Sequence, residues 1–149
     1  NLASPEALRR AFIERERFPG INRIVDIYNL VSLETGLALG AHDIAKIQGD
    51  VRLRLINGSE LFVPLGKTEP VPIRPGEYGY VDDAANEIIC RMEVMQVEKT
   101  KVGANAKDIF VIIQGNKNTE AEYVKQGAEN VCQSIVKHCG GQYAFLNAL

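Results

Sequence analysis

Between Asn22 and Ile47 the chain reads NRIVDIYNLVSLETGLALGAHDIAKI, and its apolar residues Ile24, Val25, Ile27, Tyr28, Leu30, Val31 and Leu33 recur at helical spacing. That spacing predicts an amphipathic helix with a broad buried face, ended by Gly36. Asn22, Asp26 and Asn29 fall on one side of it, with Glu34 near its end. Asp and Asn are poor helix formers because their short side chains compete for backbone hydrogen bonds, so the three call for specific partners. One reading makes them loop caps that satisfy buried backbone groups; the other gives them a part in catalysis or ligand contact.

Upstream, Ser4, Pro5 and Glu6 form a helix start, and the helix is expected to run to Phe18 before Pro19 and Gly20 break it. After Gly36, Leu37 to Gly40 reads as a short extended piece, and His42 and Asp43 open a single turn ending near Ile47. From Asp50 the period changes to two. Val51, Leu53 and Leu55 alternate with Arg52 and Arg54, and Asn57-Gly58 signals a hairpin whose partner strand is Glu60 to Leu65. Pro70, Pro72 and Pro75 make Lys67 to Gly76 a loop or edge segment. Further strands are predicted over Glu77 to Val81, Glu87 to Gln96 and Ile109 to Gln114, with a polar stretch from Glu98 to Lys107. Thr119 and Glu122 make a capping box ahead of a helical stripe from Tyr123 to Cys139, stopped by Gly140-Gly141.

These elements predict an α+β domain whose short antiparallel strands form a small β-barrel or curled sheet flanked by helices. Ile24, Val31, Leu33, Val51, Leu53, Val111, Ile113, Val131 and Ile135 are its expected core, and the Arg-rich first helix is expected to stay exposed. A length of 149 residues suits one domain, spanning 1–149. Its first residue is Asn rather than Met, so it is read as trimmed at the N-terminus.

Composition narrows the function classes. With 46% hydrophobic and 24% charged residues the chain resembles a soluble globular protein, and no apolar run is long enough to span a membrane. A net charge of −2 gives no global attraction to nucleic acid, so RNA contact must come from a local patch. Arg9, Arg10, Arg15, Arg17 and Arg23 are candidates, although interleaved Glu6, Glu14 and Glu16 favour a solvated helix face. Three cysteines without a paired or clustered spacing argue against a disulfide framework and against zinc; they suit a reducing cytoplasm, with Cys132 and Cys139 on one apolar helix face as core residues.

No P-loop, GxGxxG, GxSxG or HExxH is present. His42 next to Asp43 is read as a surface or capping residue, since sequence neighbours rarely face each other, and His138 as a complement to a helix dipole. Cys90-Arg91 and Thr100-Lys101 raise nucleophilic chemistry, but a strand Cys is usually buried and inert.

Beyond these local readings, NRIVDIYNLVSLETGLALGAHDIAKIQGDVRLRL resembles the B3/B4 domain of the phenylalanyl-tRNA synthetase beta subunit, whose pattern is approximately N-x-V-V-D-x-T-N-Y-V, L-E-x-G-Q-P-L-H-A-F-D and K-I. Asn22, Val25, Asp26, Asn29, Val31, Leu33, Glu34, Gly36, Leu39, Ala41, Asp43, Lys46 and Ile47 match without a gap. The segments GEYGYVDD and IICRMEVMQVEKTKV and the closing CGG look more like free-standing B3/B4 proteins, which usually carry a longer N-terminal portion.

In the synthetase this domain is an editing module that hydrolyses a mischarged aminoacyl-tRNA. The resemblance therefore implies a pocket for an aminoacyl group, with Asn22, Asp26, Asn29, Gly40, His42, Asp43 and Gln114 as its candidates and no catalytic residue assigned. The family's pocket histidine corresponds to Gly40, His42 stands at its aromatic position, and its pocket glutamate falls near Gln114; the family pattern with the helical spacing implies that Asn22, Asp26 and Asn29 face the Gly40 to Asp43 turn and help hold it. Gly offers no side chain and Gln cannot ionise, so the proton chemistry of the pocket is altered.

The leading expectation is a cytoplasmic B3/B4-type domain that acts on the 3′ end of aminoacyl-tRNA or an amino-acid-like small molecule, as an ester hydrolase needing no cofactor and no metal. The alternatives are a non-catalytic binder of an amino acid or RNA end, and a metabolic enzyme with an unrelated small substrate. Without the motifs of an ATP site the chain is not a complete tRNA ligase.

Overall fold

The computed structural model describes residues 4–15, 20–92 and 94–146. Three helices and six strands follow one another as α1 (Ser4–Arg15), α2 (Arg23–Thr35), β1 (Ala38–Asp43), β2 (Val51–Leu55), β3 (Tyr78–Asp82), β4 (Glu87–Arg91), β5 (Met95–Gln96), β6 (Ile109–Gln114) and α3 (Ala121–Cys139), with a 3-10 turn at Ile44–Lys46. The strands form two antiparallel sheets, β1-β6 and β2-β3-β4-β5. The α+β class is as expected; among the described residues the sheets stay open and no barrel closes.

Local chemistry sets the helix ends. Asn22 caps α2, its Oδ1 accepting the Val25 N–H at 3.0 Å, and Gly36 ends it at φ 72°, a left-handed conformation that suits a residue without Cβ. The expected end of α1 at Phe18 and its break at Pro19 lie outside the described residues. Arg9 and Arg10 of α1 are exposed, and Arg10 pairs with Glu14 one turn on, a solvated face as the charge pattern implied.

At α3 the expected capping box does not form. Thr119 spends its hydroxyl on the Asn116 N–H at 3.0 Å within a local turn, so Glu120 becomes the N-cap and makes no side-chain cap bond. Cys132 is half-buried against the core, whereas Cys139, at the last turn, is exposed and not a core residue.

Two apolar clusters hold the elements. In the first, Val25, Tyr28 and Val31 of α2 meet Val131 of α3 and Leu37, Leu39 and Ala41 on one face of β1, with Val111 and Ile113 of β6 alongside. Gly127 makes this close approach attainable: a Cβ there would stand 2.6 Å from Leu37 Cδ1 and 3.1 Å from Ile113 Cδ1. The second cluster joins Ile56, Phe62, Val81, Ile88, Ile89 and Val97 beneath the larger sheet. Of the expected core, Val31 and Val131 are buried and Ile24, Leu33, Val51, Val111, Ile113 and Ile135 are half-buried.

Leu53 is instead 48% exposed, and Leu55 52%. Strand β2 is an edge strand paired only with β3, and Arg54, not a leucine, is drawn inward, by the buried carboxylate of Glu60 and by Asp83. Glu60 also explains why Asn57-Gly58 makes no hairpin and residues 60–65 no partner strand. Its carboxylate accepts the N–H groups of Asn57 at 3.2 Å and Gly58 at 2.9 Å, which folds the segment onto itself and leaves β2 to pair with β3. The single strand expected over Glu87 to Gln96 is two, β4 and β5, paired with each other.

Candidate functional site

Along β1 the side chains alternate. Leu39 and Ala41 enter the helical core, while Gly40 and His42 take the other face, opposite Ile112 and Phe110 of β6. That face meets the larger sheet along a seam. There Tyr80, Cys90 and Gln96 sit opposite one another on β3, β4 and β5, a rung that begins at the edge with Leu53. Two contacts close the seam: Gln114 Nε2 donates to the Tyr80 hydroxyl at 2.8 Å, and His42 Nδ1 meets Thr100 Oγ1 at 2.7 Å.

At its centre stands Gly40, half-buried and without a side chain. A Cβ there would lie 3.4 Å from Gln96 Oε1 and 4.0 Å from His42 Nε2, so a ligand over Gly40 would have the Gln96 carboxamide and the His42 imidazole for neighbours. Gly40, Tyr80, Cys90, Gln96 and Gln114 are all half-buried, which leaves them reachable.

His42 corrects the sequence reading, because it is fully buried and neither a surface nor a capping residue. Strand alternation directs it between the sheets, where burial lowers its pKa from 6.5 to about 4, so it is neutral at pH 7. Its Nε2 has no hydrogen-bond partner among the described residues. Burial likewise pushes the Cys90 thiol up to about 12, which keeps it protonated and inert and disfavours nucleophilic chemistry. The Lys101 ammonium is paired with Glu98.

The other candidates lie apart from the seam. Asp43 caps the 3-10 turn, its Oδ1 accepting the Ala45 N–H at 3.1 Å. Asp26 accepts the Ile21 N–H at 2.9 Å, and Asn22, besides capping α2, donates to the Val102 carbonyl at 3.0 Å. Asn29 is half-buried and forms no side-chain hydrogen bond among the described residues. The network expected between these three and the Gly40 to Asp43 segment is therefore not formed; α2 satisfies its own N-terminus first. Asn22 still acts at one remove, since Val102 lies two residues beyond Thr100, the partner of His42.

Tyr80, Gln96 and Thr100 complete the seam; none was a pocket candidate from the sequence, because cross-strand register places Tyr80 and Gln96, and Thr100 arrives through its contact with His42. Among the described residues no group of three His, Cys, Asp or Glu could hold a metal ion, and no helix is long and apolar enough to cross a membrane.

Comparison with known proteins gives this architecture its context. The B3/4 domain family matches residues 1–140. Phenylalanine--tRNA ligase beta subunits are among the relatives: that of Chromobacterium violaceum is 32% identical over 112 residues, covering 74% of this chain and 14% of its own length. For Mycoplasma pneumoniae the figures are 29%, 129 residues, 87% and 15%. The chain thus spans about a seventh of the curated relatives it matches. Among solved structures, an N-terminal fragment of the phenylalanyl-tRNA synthetase beta subunit from Pyrococcus horikoshii superposes with a TM-score of 0.65 at 16% identity, covering 76% of this chain and 39% of that one, which is a likeness of fold.

Proposed function

The chain belongs to the B3/4 domain family, and from that premise we propose that the seam receives the aminoacyl ester at the 3′ end of a tRNA and hydrolyses it. The observation that carries this reading is the bare backbone floor at Gly40 beside the Gln96 carboxamide, with Gln114 two residues along β6 from Ile112, the partner of Gly40. Carboxamides donate and accept at once, which suits a ligand presenting an amine, a carbonyl and hydroxyls together.

An aminoacyl ester needs little activation. The oxygen of a water adds to the carbonyl carbon, the bond from that carbon to the ribose oxygen breaks, and the ribose oxygen leaves with a proton from the water. The products are a free amino acid and an uncharged tRNA end. The protein's share is orientation and donation to the developing oxyanion, a role for the amide groups of Gln96 and Gln114. His42 is sealed beside the floor and, with its lowered pKa, is a weak base at pH 7; it supports the floor and takes no proton from water.

A second reading, a binding module without turnover, is favoured by one feature: the residues that form the seam, Gly40, Tyr80, Cys90, Gln96, Thr100 and Gln114, carry no carboxylate, and the imidazole of His42 is fully buried. Deacylation assays on a panel of mischarged tRNAs separate the two. Turnover that Gln114→Ala reduces supports hydrolysis, and binding without turnover supports the module. Neither binding nor turnover with any member of the panel sinks both and leaves an unrelated small substrate.

A further inference from the structure

Where β3 begins and β4 ends, Pro72, Ile73, Arg74, Pro75, Glu77 and Arg91 line a cavity of about 450 Å³ that lies outside the seam. Arg91 is fixed in its wall: Nη2 pairs with Glu77 Oε2 at 2.9 Å, and the guanidinium carbon stands 5.7 Å from the centre of the Phe62 ring. Its buried Nε has no hydrogen-bond partner among the described residues, so the Glu77 carboxylate satisfies only part of this guanidinium. Arg74 is exposed and forms no ion pair with any described residue. The site therefore sets two guanidinium groups against one carboxylate, between proline and isoleucine walls. Its volume is far larger than a lone phosphate needs and lies within the range of small-ligand sites.

We infer that this cavity holds a phosphodiester, with its sugar, of a single-stranded RNA whose end lies in the seam. Guanidinium groups fit phosphate oxygens in pairs, and the apolar walls suit the sugar and base that a strand carries beside each phosphate. Position supplies the rest. Glu77 and Arg91 share the Gly79 face of the β3-β4 pair and Tyr80 the other, so an RNA strand joining cavity to seam turns over the start of β3. Tyr78, 52% exposed, lies on the way and offers a ring on which a base can stack. A strand following this path would bind through a local patch, as the chain's net charge of −2 requires.

The inference rests on the proposed function, because the seam defines where the strand ends. Its test uses a short fluorescently labelled single-stranded RNA without an acyl group, titrated against the chain by anisotropy at several salt concentrations. Arg74→Ala should weaken binding several-fold and lower the slope of log K against log salt by about 1, the signature of one lost phosphate contact. Glu77→Gln should act oppositely and tighten binding, since it removes the one carboxylate that lines the cavity among the described residues. Both variants must keep the parent's melting profile, and Arg74→Ala, at an exposed position, suffices if Glu77→Gln fails to fold.

RNA binding unaffected by Arg74→Ala overturns the inference. So does inorganic phosphate or a free mononucleotide that binds as tightly as the RNA, since the ligand is then not a strand. Deacylation that persists in Arg74→Ala while RNA binding also persists removes the cavity and leaves the seam; RNA binding that depends on Arg74 but is indifferent to Gly40→Val removes the seam as the strand's end.

Discussion

Gln114 and Tyr80, on different sheets, are joined by a hydrogen bond of 2.8 Å from the carboxamide Nε2 to the phenol oxygen. This bond ties the two sheets together, while the contact of His42 to Thr100 ties β1 to the segment that follows β5. Tyr80→Phe keeps the ring and deletes the acceptor. It should cost about 1 kcal/mol of stability, the typical worth of one such bond, read from urea unfolding midpoints. Ligand binding at the seam should weaken in parallel; unchanged stability with lost binding would assign the phenol to the ligand alone.

Acid should weaken the fold through His42. An unfolded chain takes up a proton near the ordinary value of 6.5, whereas the folded site resists protonation down to about 4. Between those values the unfolded state holds more protons, so stability falls as pH drops from 6.5 towards 4 and levels off below, by at most about 3 kcal/mol from this group. The Glu60 carboxyl acts in a lower window. Burial raises its pKa, but the Arg54 guanidinium and the N–H groups of Asn57 and Gly58 outweigh burial and hold it below its ordinary 4.5. Its share is therefore lost only as pH falls through that lowered value. Unfolding midpoints between pH 7.5 and 5 should decline in the parent and stay flat in His42→Asn.

Gly40→Val should abolish seam function while the chain stays folded, since even the first carbon of the new side chain stands 3.4 Å from Gln96 Oε1 and its methyls fill the floor. His42→Ala should be milder in catalysis, no more than the ~10²-fold lower bound for losing a general base. Rates of both on one mischarged tRNA, with circular dichroism as the folding control, decide between floor and base. A folded but inactive His42→Ala protein would make the imidazole a base.

Glu60→Ala removes a carboxylate whose side chain is fully shielded from solvent and which serves both Arg54 and two backbone N–H groups. Leaving these partners unsatisfied should cost about 3 kcal/mol or more in chemical denaturation, far above an exposed pair such as Arg10 with Glu14.

Local rules explain what could be read from the sequence. The ends of α2 at Asn22 and Gly36 depend on residues within one turn, and β6 was bounded correctly because its apolar run is uninterrupted. The partner of β2 was misread because Glu60, held by Arg54, overrides the Asn57-Gly58 turn preference. His42 looked like a surface residue because its partner Thr100 is 58 positions away. The position of Gly40 came from the family motif, but its neighbour Gln96 could not, since strand register, and not spacing, sets that contact.

The order in which the chain can fold follows from the pairing of β1 with β6, which matches Ala38 to Gln114 and Asp43 to Ile109. The whole larger sheet lies between these partners in sequence, and its β3-β4 and β4-β5 pairs join near neighbours. Closing the β1-β6 ladder must overcome the entropy of the long intervening loop before it is rewarded, so the hairpins are expected to form first. The seam needs both sheets, and a nascent chain would own its larger sheet before it owned a site. Kinetic experiments should show this as low φ-values at Ala41 and Val111 and higher ones at Val81 and Ile88.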